Sequence, residues 1–447
     1  MAHESDIQER FGVALVGCGT IGGATATLLT RDADLLGRRM APALALRHVV
    51  DVDFAHARQL GLDEALLTDN LDAALGDEEV GAVVELVGGT TVARKIVEQA
   101  LRAGKHVVTA NKALLAHHGA ELYALARDRG VCIAFEASCA GGIPIVRALT
   151  DGLIANRIEA LYGIVNGTCN HILTAMTWQD VSYADALAEA QRDGLAEADP
   201  TLDVSGTDSA HKLAILASLA FGRNVDFDAI PVTGIDELSL TDVVYGRELG
   251  YVVKLLAIAQ QHDEGISLQV RPAFITQEHP LAWVAGPFNA VSVYGHATGH
   301  TMYYGRGAGG MPTASAIVAD LAAVAMGTAP RTFAQLPIWP DRSPAARQLP
   351  PDAARMRYYL RVTALDRPGV LAQIAAVLGN RDISIYSVLQ RESEYAAEPA
   401  PHVPVIITTN QAEEGKVRKA LAEIDALDVI EPGSICIGIV DEHPEAP

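Results

Sequence analysis

The chain has 447 residues, 49% of them hydrophobic. This length exceeds that of one ordinary domain and predicts two or three domains. Its net charge of −21 argues against nucleic acid and anionic membranes as partners, and no apolar run approaches the ~20 residues that span a bilayer. The five cysteines are scattered without CxxC spacing and the N-terminal segment is acidic and polar, so we expect reduced thiols and a cytoplasmic protein.

Residues 11–140 begin with an apolar strand, a glycine-rich turn and a helix. The turn has GxGxxG spacing at Gly17, Gly19 and Gly22. Between a strand and a helix, these glycines allow a tight turn, close approach of a pyrophosphate, and packing of the helix on the strand. The N-terminus of the helix then faces the anion. The alternative is a glycine-rich turn that binds no ligand.

The second strand of this segment ends near Asp51. A carboxylate at this place accepts hydrogen bonds from the adenosine ribose and disfavours a 2′-phosphate, which favours NAD over NADP. Arg47 and Arg58 are close enough in sequence to keep NADP open. Asp51 could also merely begin the next helix.

Strands and helices keep alternating up to residue 140, which predicts a doubly wound, Rossmann-like parallel sheet with helices on both faces. Ligands bind such sheets beyond the carboxyl ends of the strands. Three short segments fall there: Gly88-Gly89-Thr90, Asn111-Lys112 and Glu136-Ala137-Ser138. Lys112 is thus placed to meet a substrate anion, although a surface lysine would look the same in isolation.

Residues 141–330 predict a second, α+β domain. Several β-rich runs indicate a mostly antiparallel sheet with helices on one face, which could form both a substrate floor and a dimer interface. The last helix follows a glycine-rich run ending at Gly310 and is expected to return to the nucleotide-binding domain. Its N-terminus is either an anion site or a simple turn before a core helix. Residues 331–355, rich in proline and arginine, predict an inter-domain linker.

The most informative stretch is 191–212, where four carboxylates surround a turn before a helix that carries Lys212. These carboxylates belong to Glu197, Asp199, Asp203 and Asp208. No charge follows Lys212 until Arg223, so most of the helix must be buried, and a buried ammonium needs a partner or a task. Asp208 lies one turn earlier on the same face, which makes a proton-transfer pair reasonable. An ordinary ion pair is the alternative from composition alone, and a metal site is a minor one.

Residues 356–441 follow the order βαββαβ, which is typical of a ferredoxin-like unit. The loop from Asp366 to Gly369 places backbone amides at a helix start, where a small zwitterion could bind. We therefore expect a ligand-sensing module, although fold alone does not establish ligand binding.

Taken together, these segments resemble homoserine dehydrogenase in its long bacterial form with a C-terminal ACT domain. The resemblance rests on GCGTIGG, VVELVGG, TANKALLA, FEASCAGGIP, NGTCNHIL, GLAEADPTLDVSGTDSAHK, YYGRGAGGMPTASAIVAD and LDRPGVLAQIA, which run along almost the whole chain. It implies reversible reduction of L-aspartate 4-semialdehyde to L-homoserine with NAD(P)H, in threonine, methionine and isoleucine biosynthesis. It also implies a homodimer or homotetramer, with the central domain as the usual dimer contact.

The resemblance also implies residue roles. Lys212 would be the general acid/base, with Lys112 and Asp208 as further catalytic groups. Glu197 and Asp208 would hold the amino and hydroxyl ends of the substrate, Lys112 its carboxylate side, and Asp203 would orient the lysine network. The coenzyme would contact Gly17, Gly19, Thr20, Ile21, Gly22, Asp51, Gly89, Thr90, Lys112, Gly194 and Gly310. A monovalent cation, Na⁺, would be held by Glu136 and by backbone carbonyls of Cys139, Gly141 and Ile143. Asp366 and Gly369 would bind L-threonine as a feedback inhibitor.

Several positions depart from the commonest family pattern. Leu195 and His171 stand in place of aromatic residues, and Cys139-Ala140 stands where Val-Gly is frequent, which leaves details of the pocket open. Asp51 replaces the basic residue often found in NADP-preferring members, which favours NAD. Two other functions stay open: a Rossmann oxidoreductase for another small oxo or hydroxy acid, and a non-catalytic amino-acid sensor. A sensor would be expected to lose the acids and the lysine of the central motif, and all are present.

Overall fold

The computed structural model of the protein describes residues 10–390 and 402–444. Its strands are β1 (Arg10–Val16), β2 (Ala43–Val50), β3 (Leu67–Thr68), β4 (Val80–Glu85), β5 (His106–Thr109), β6 (Ile133–Ala134), β7 (Ile158–Ile164), β8 (Tyr251–His262), β9 (Gly265–Thr276), β10 (Phe288–Gly295), β11 (Gly299–Arg306), β12 (Arg355–Leu365), β13 (Ile385–Gln390), β14 (His402–Thr409), β15 (Ala412–Glu413) and β16 (Ile430–Ile439). Its helices are α1 (Thr20–Arg31), α2 (Ala33–Gly37), α3 (Ala55–Gln59), α4 (Leu71–Gly76), α5 (Val92–Arg102), α6 (Lys112–Asp128), α7 (Ile145–Arg147), α8 (Gly167–Gln179), α9 (Tyr183–Arg192), α10 (Thr201–Val204), α11 (Thr207–Phe221), α12 (Leu240–Glu248), α13 (Gly310–Ala325), α14 (Thr328–Gln335), α15 (Val370–Gly379) and α16 (Glu414–Ile424). Two compact units result: unit 1 holds Met1–Glu159, Ala210–Ala229 and Phe288–Ala346, and unit 2 holds Ala160–Ser209, Ile230–Pro287 and Arg347–Pro447.

Unit 1 contains a six-stranded sheet in the order β3-β2-β1-β4-β5-β6, with every pair parallel. Its inner strands are apolar on both faces, as Val13, Ala14 and Leu15 of β1 show by being fully buried, because helices cover both sides of such a sheet. The strand order reverses between β1 and β4, and doubly wound sheets bind nucleotides at the carboxyl ends of the strands at this point. The predicted Rossmann-like fold is confirmed.

Unit 2 contains the antiparallel strands β7, β8 and β9, of which β8 and β9 have 12 residues each. Strand β16 joins them by pairing parallel to β9, and the antiparallel order β16-β12-β14-β13 follows. Helices α15 and α16 pack on these four strands. The core between them includes Tyr358 and Leu360 of β12 and Ile374 of α15. The predicted ferredoxin-like unit is confirmed. Residues 391–401, in the polar loop of that unit, lie outside the described residues.

One predicted boundary differs from the structure. The antiparallel hairpin β10–β11 belongs to unit 1, whereas the sequence analysis places it in the second domain. Helix α13 also belongs to unit 1, and it is the last helix that the sequence analysis expects to return to the nucleotide-binding domain. Small residues allow α13 to pack closely on α1. A Cβ at Gly310 would stand only 3.3 Å from the Thr20 carbonyl oxygen and 3.6 Å from the Ala24 side chain. In the described part of the chain, no single helix is long and apolar enough to cross a membrane; α13 and α14 pass that test only as a pair bent by 81°.

The segment predicted as a linker, residues 331–355, is ordered in unit 1 up to residue 346, so that prediction is wrong there. Helix α14 covers its first residues. Trp339 is 5% exposed and packs on Phe333 with ring centroids 5.3 Å apart, and Asp341 accepts a 2.8 Å hydrogen bond from Arg127. Proline interrupts the helix in this segment, but a buried tryptophan and a buried carboxylate fix its path.

Candidate active site

The turn between β1 and α1 has the backbone that a dinucleotide requires. Gly17 has φ +94°, and any side chain at Gly22 would collide with the Gly17 carbonyl oxygen. At Gly19 the space for a Cβ is open, with no described atom beyond its chain neighbours within 4 Å. The amides that begin α1 are therefore approachable by an anion, and these residues fit the pyrophosphate of a nicotinamide dinucleotide.

Asp51 follows β2 at the same edge of the sheet. Its carboxylate accepts the N–H of Cys18 at 2.6 Å and the N–H of Val52 at 2.7 Å. The first of these bonds ties Asp51 to the glycine turn, so its negative charge stands beside the predicted coenzyme site.

Arg47 and Arg58, the two arginines that left NADP possible as the coenzyme, are both paired with carboxylates. Arg47 lies 3.3 Å from Asp77 and 2.5 Å from Glu79, and Arg58 lies 2.8 Å from Glu64. Their positive charges are therefore neutralised by neighbours in unit 1, which weakens the case for a 2′-phosphate site.

Glu85, which the sequence analysis missed, shapes the next part of this edge. It is fully buried at the end of β4, where one carboxylate oxygen accepts the N–H groups of Val87 at 2.9 Å and Gly88 at 3.1 Å. The other oxygen accepts the Thr109 hydroxyl at 2.7 Å. Glu85 thereby fixes the Gly88–Thr90 turn to the end of β5. The sequence feature that could have revealed Glu85 is an acidic residue in an otherwise apolar strand.

Asn111 sets the start of α6. Its side-chain oxygen accepts the Leu114 N–H at 3.1 Å as an N-cap, and its amide donates to the Gly89 carbonyl at 2.7 Å. Helix α6 consequently begins with Lys112 beside the Gly89 turn, at the carboxyl edge where the sequence predicted both residues.

Lys112 and Lys212 both act on the thiol of Cys139, within unit 1. Burial is the main influence and raises the pKa of Cys139 to about 12, while the positive charges of Lys212 and Lys112 act in the lowering direction. Cys139 is fully buried and Lys212 is 8% exposed. Two predicted catalytic lysines and one predicted cation-site residue therefore belong to the same unit.

In unit 2, the carboxylates of Asp203 and Asp208 meet at one amide. Asn166 donates from Nδ2 to Asp203 Oδ1 and to Asp208 Oδ2, each at 2.8 Å. Asp208 is 4% exposed and lies in the first turn of α11, one turn before Lys212 on the same helix. Two of the four predicted carboxylates therefore lie together, with Asp208 buried and Asp203 partly buried.

The other two carboxylates, Glu197 and Asp199, are exposed in the turn between α9 and α10. Asp199 accepts the Thr201 hydroxyl at 2.6 Å and the Thr201 N–H at 3.1 Å. Gly194 ends α9 with φ +70° and is also exposed. This turn presents the predicted substrate group Glu197 on the surface of unit 2.

Asn166 was missed as a site residue. The strand–Asn–Gly–Thr–helix sequence signals only its local role, in which Oδ1 accepts the Cys169 N–H at 2.8 Å and caps α8. Its bonds to Asp203 and Asp208 join residues 37 and 42 positions apart, and no spacing rule reports them.

The loop after β6 is held by two buried carboxylates. Glu136 accepts the N–H groups of Val146 and Arg147, each at 2.8 Å. Asp320 of α13 accepts the Glu136 N–H at 2.8 Å and the Arg147 guanidinium at 3.1 Å. Burial, the largest cause, raises the pKa of Glu136 to about 7 and that of Asp320 to about 6. Both carboxylate oxygens of Glu136 are therefore engaged by the chain itself.

The four predicted cation residues, Glu136, Cys139, Gly141 and Ile143, lie on this loop. Ala140 and Gly141 have successive left-handed φ values of +54° and +51°, which turn the chain sharply. Because the Glu136 carboxylate caps the next helix, this loop fits a monovalent cation only through its backbone carbonyl oxygens. Among the described residues, no group of three or more His, Cys, Asp or Glu side chains is arranged to hold a metal ion.

The Asp366–Gly369 loop borders a cavity of about 370 Å³ in unit 2. Gly369 has φ +89° at the start of α15, and a side chain there would meet open space. Asp366 accepts a 3.1 Å hydrogen bond from Gln390 across the cavity wall. The loop therefore joins a carboxylate and a helix start without a side-chain cap at one small pocket.

Three family models match consecutive parts of the chain. The model for "Homoserine dehydrogenase, NAD binding domain" matches residues 17–136, the model for "Homoserine dehydrogenase" matches residues 144–322, and the model for "ACT domain" matches residues 358–426.

Known proteins are similar over nearly the whole length. The chain is 44% identical to homoserine dehydrogenase of Pseudomonas aeruginosa over 93% of this chain and 95% of that one, and 38% identical to that of Bacillus subtilis over 94% and 96%. A crystal structure of a homoserine dehydrogenase from Thiobacillus denitrificans matches with a TM-score of 0.91 at 43% identity, covering 97% of this chain and 100% of that one.

Proposed function

Because the chain belongs to the homoserine dehydrogenase family, we propose that Lys212 transfers the proton in the reversible reduction of L-aspartate 4-semialdehyde to L-homoserine. This oxidoreductase reaction turns an aldehyde into an alcohol, so a proton must reach the oxygen as negative charge develops there. The hydride comes from the reduced nicotinamide coenzyme when it is bound. The observation that carries the proposal is Lys212 itself, 8% exposed on α11 and one turn after the buried Asp208.

The other predicted side chains take positioning roles. Glu197 and Asp208 hold the amino and hydroxyl ends of the substrate, and Lys112 holds its carboxylate side. Asp203 orients the lysine network. The burial of Asp208 and the influence of both lysines on Cys139 support these roles, because partly desolvated charges interact more strongly than exposed ones.

The family binds a nicotinamide coenzyme through its NAD-binding domain, and for this chain we favour NAD. The glycine turn would hold the pyrophosphate, with Thr20, Ile21, Gly89, Thr90, Gly194 and Gly310 as further contacts. Asp51 would face the adenosine ribose, and its charge repels a 2′-phosphate. The pairing of Arg47 and Arg58 with carboxylates supports this preference.

A monovalent cation such as Na⁺ would bind the loop of Glu136, Cys139, Gly141 and Ile143. With the Glu136 carboxylate engaged by Val146 and Arg147, the backbone carbonyls are the suitable ligands. There the cation would stiffen the loop that carries Cys139 beside the two lysines.

The ACT domain is proposed to bind L-threonine at the Asp366–Gly369 loop and to make it a feedback inhibitor. The cavity of about 370 Å³ and the N-terminus of α15 beside it support binding of a small zwitterion. A homodimer or homotetramer and a cytoplasmic location are further expectations that accompany biosynthesis of threonine, methionine and isoleucine.

The experiment is to supply the purified chain with L-homoserine and either NAD⁺ or NADP⁺ and to follow formation of the reduced coenzyme. Lactate, malate and glycerate are tested in parallel as other small hydroxy acids. Homoserine-dependent reduction supports the proposal. Turnover confined to another hydroxy acid would favour a general Rossmann oxidoreductase, and no turnover with any of them would favour a non-catalytic sensor.

A further inference from the structure

Asn166 connects three segments of unit 2 through one side-chain amide. Its oxygen accepts the Cys169 N–H at 2.8 Å, which caps α8. Its nitrogen donates one hydrogen bond to Asp203 of α10 and one to Asp208 at the start of α11, both at 2.8 Å. The orientation of the amide is fixed by chemistry, because ionised carboxylates only accept hydrogen bonds and a backbone N–H only donates.

The arrangement does more than a helix cap requires. A cap needs only the side-chain oxygen, which aspartate or serine would supply equally well. The two N–H bonds hold two carboxylates at one side-chain nitrogen, and Asp208 is only 4% exposed, so the position of its buried carboxylate depends on hydrogen-bond partners of this kind. A 3.2 Å bond from the Cys169 thiol to the Asp203 carbonyl ties the same segments a second time.

We infer that Asn166 is a positioning residue of the dehydrogenase reaction, holding the Asp203 and Asp208 carboxylates in register at the start of the helix that carries Lys212. The inference rests on the proposed function of these carboxylates. Because an error of about 1 Å in a catalytic array can cost ~10²-fold in rate, loss of this amide lowers turnover without removing any reacting group.

The test compares two substitutions that both keep the cap. Asn166→Asp has the same shape, retains the capping oxygen, loses both donors and adds a third carboxylate. Asn166→Ser retains a capping oxygen and one hydroxyl donor. We expect kcat for homoserine oxidation to fall about 10-fold in N166S and about 100-fold in N166D, with the coenzyme KM within about twofold of wild type.

Asn70 offers a matched control, because it caps α4 in unit 1 through the same kind of bond, from the Ala73 N–H at 3.2 Å. Asn70→Asp is expected to leave kcat and KM unchanged. Thermal unfolding of all variants is measured alongside, and N166S decides the question if N166D does not fold.

Equal activity of wild type, N166S and N166D would overturn the inference and leave Asn166 as a helix cap only. Asp208→Asn, assayed in parallel, separates this failure from failure of the proposed function. If D208N is impaired and N166D is not, only the positioning inference is wrong. If D208N turns over like wild type, the proposed role of Asp208 is wrong, and the positioning inference fails with it.

Discussion

The four carboxylates of Glu197, Asp199, Asp203 and Asp208 occupy different environments, and burial decides what each can contribute. Asp208 is 4% exposed and shares an amide with Asp203, whereas Glu197 and Asp199 face solvent. A buried, fixed carboxylate can influence the chemical step, because its charge is weakly screened. An exposed one on a turn is better suited to capture the substrate's ammonium group. We therefore expect the residues of this motif to differ in the kinetic constant that they affect.

Glu197→Ala is expected to raise KM for L-homoserine by about tenfold or more while changing kcat less, because a lost ion pair to the substrate weakens binding. Steady-state kinetics at saturating coenzyme measure both constants. Asp199→Ala is the control, since that carboxylate is bonded to Thr201 in the same turn and should leave KM near the wild-type value. An unchanged KM in E197A would remove Glu197 from substrate binding.

The preference for NAD⁺ or NADP⁺ is also expected to depend on single residues. With Asp51 beside the glycine turn and both nearby arginines paired with acids, we expect kcat/KM for NAD⁺ to equal or exceed that for NADP⁺. The two values are compared in the wild-type chain. A strong preference for NADP⁺ would mean that the Asp51 carboxylate does not meet the ribose.

At the scale of elements, the local patterns were predictable and the distant pairings were not. The β1–α1 turn follows from glycine spacing, and the βαββαβ order follows from alternating runs. From the sequence, the run before α13 is interpreted only as glycines that lead into that helix, and strand β11 is not predicted. Its pairing with β10, with Asn289 opposite Gly305, makes it a strand. Asn166 escaped for the same reason, since its two carboxylate partners lie 37 and 42 positions away. Glu85 escaped although an acid in an otherwise apolar strand is visible in the sequence.

Lys254 allows a test at this scale, because it joins β8 to α8 and to the segment before β10. It is 2% exposed and donates to Asn170 at 3.2 Å and to the Val284 carbonyl at 2.5 Å. Burial lowers its pKa from 10.5 to about 8. Between these values the unfolded chain binds more protons than the folded one, so this residue makes the folded state more stable as pH rises through that window.

The expected result is that the Tm of wild type minus the Tm of Lys254→Met increases between about pH 7 and about pH 10. The full effect on the free energy of unfolding is about 3 kcal/mol at most. Thermal scans of both proteins at the two pH values measure it. A difference in Tm that stays constant would show that Lys254 titrates normally.

At the scale of the whole molecule, the C-terminal module is part of the sheet of unit 2. Strand β16 pairs with β9, and the buried Asp242 of α12 accepts Arg361 at 2.6 Å and the Tyr359 hydroxyl at 3.0 Å. Cutting the chain near residue 350 would remove the β16 pairing from one edge of β9, which stays paired with β8, and would leave Asp242 without Arg361 and Tyr359. Point substitutions in the Asp366–Gly369 loop therefore test regulation better than truncation does.

Asp366→Ala is expected to raise the threonine concentration that halves activity by about tenfold or more, which falls within the 1–3 kcal/mol typical of allosteric coupling. Asp382→Ala is the control, because this exposed acid of the same module pairs with Lys416 and lies outside the loop. Initial rates over a threonine series give the comparison. Equal sensitivity of D366A and wild type would place any inhibition elsewhere in the protein.

The central claim is that Lys212 transfers the proton, and kcat for L-homoserine oxidation in Lys212→Ala and Lys212→Arg tests it most directly. Alanine removes the group, and arginine keeps the charge but cannot release its proton. We expect kcat to fall by ~10²–10⁴-fold in both variants, with Tm near that of wild type. Turnover in either variant close to that of the wild-type chain would contradict the account.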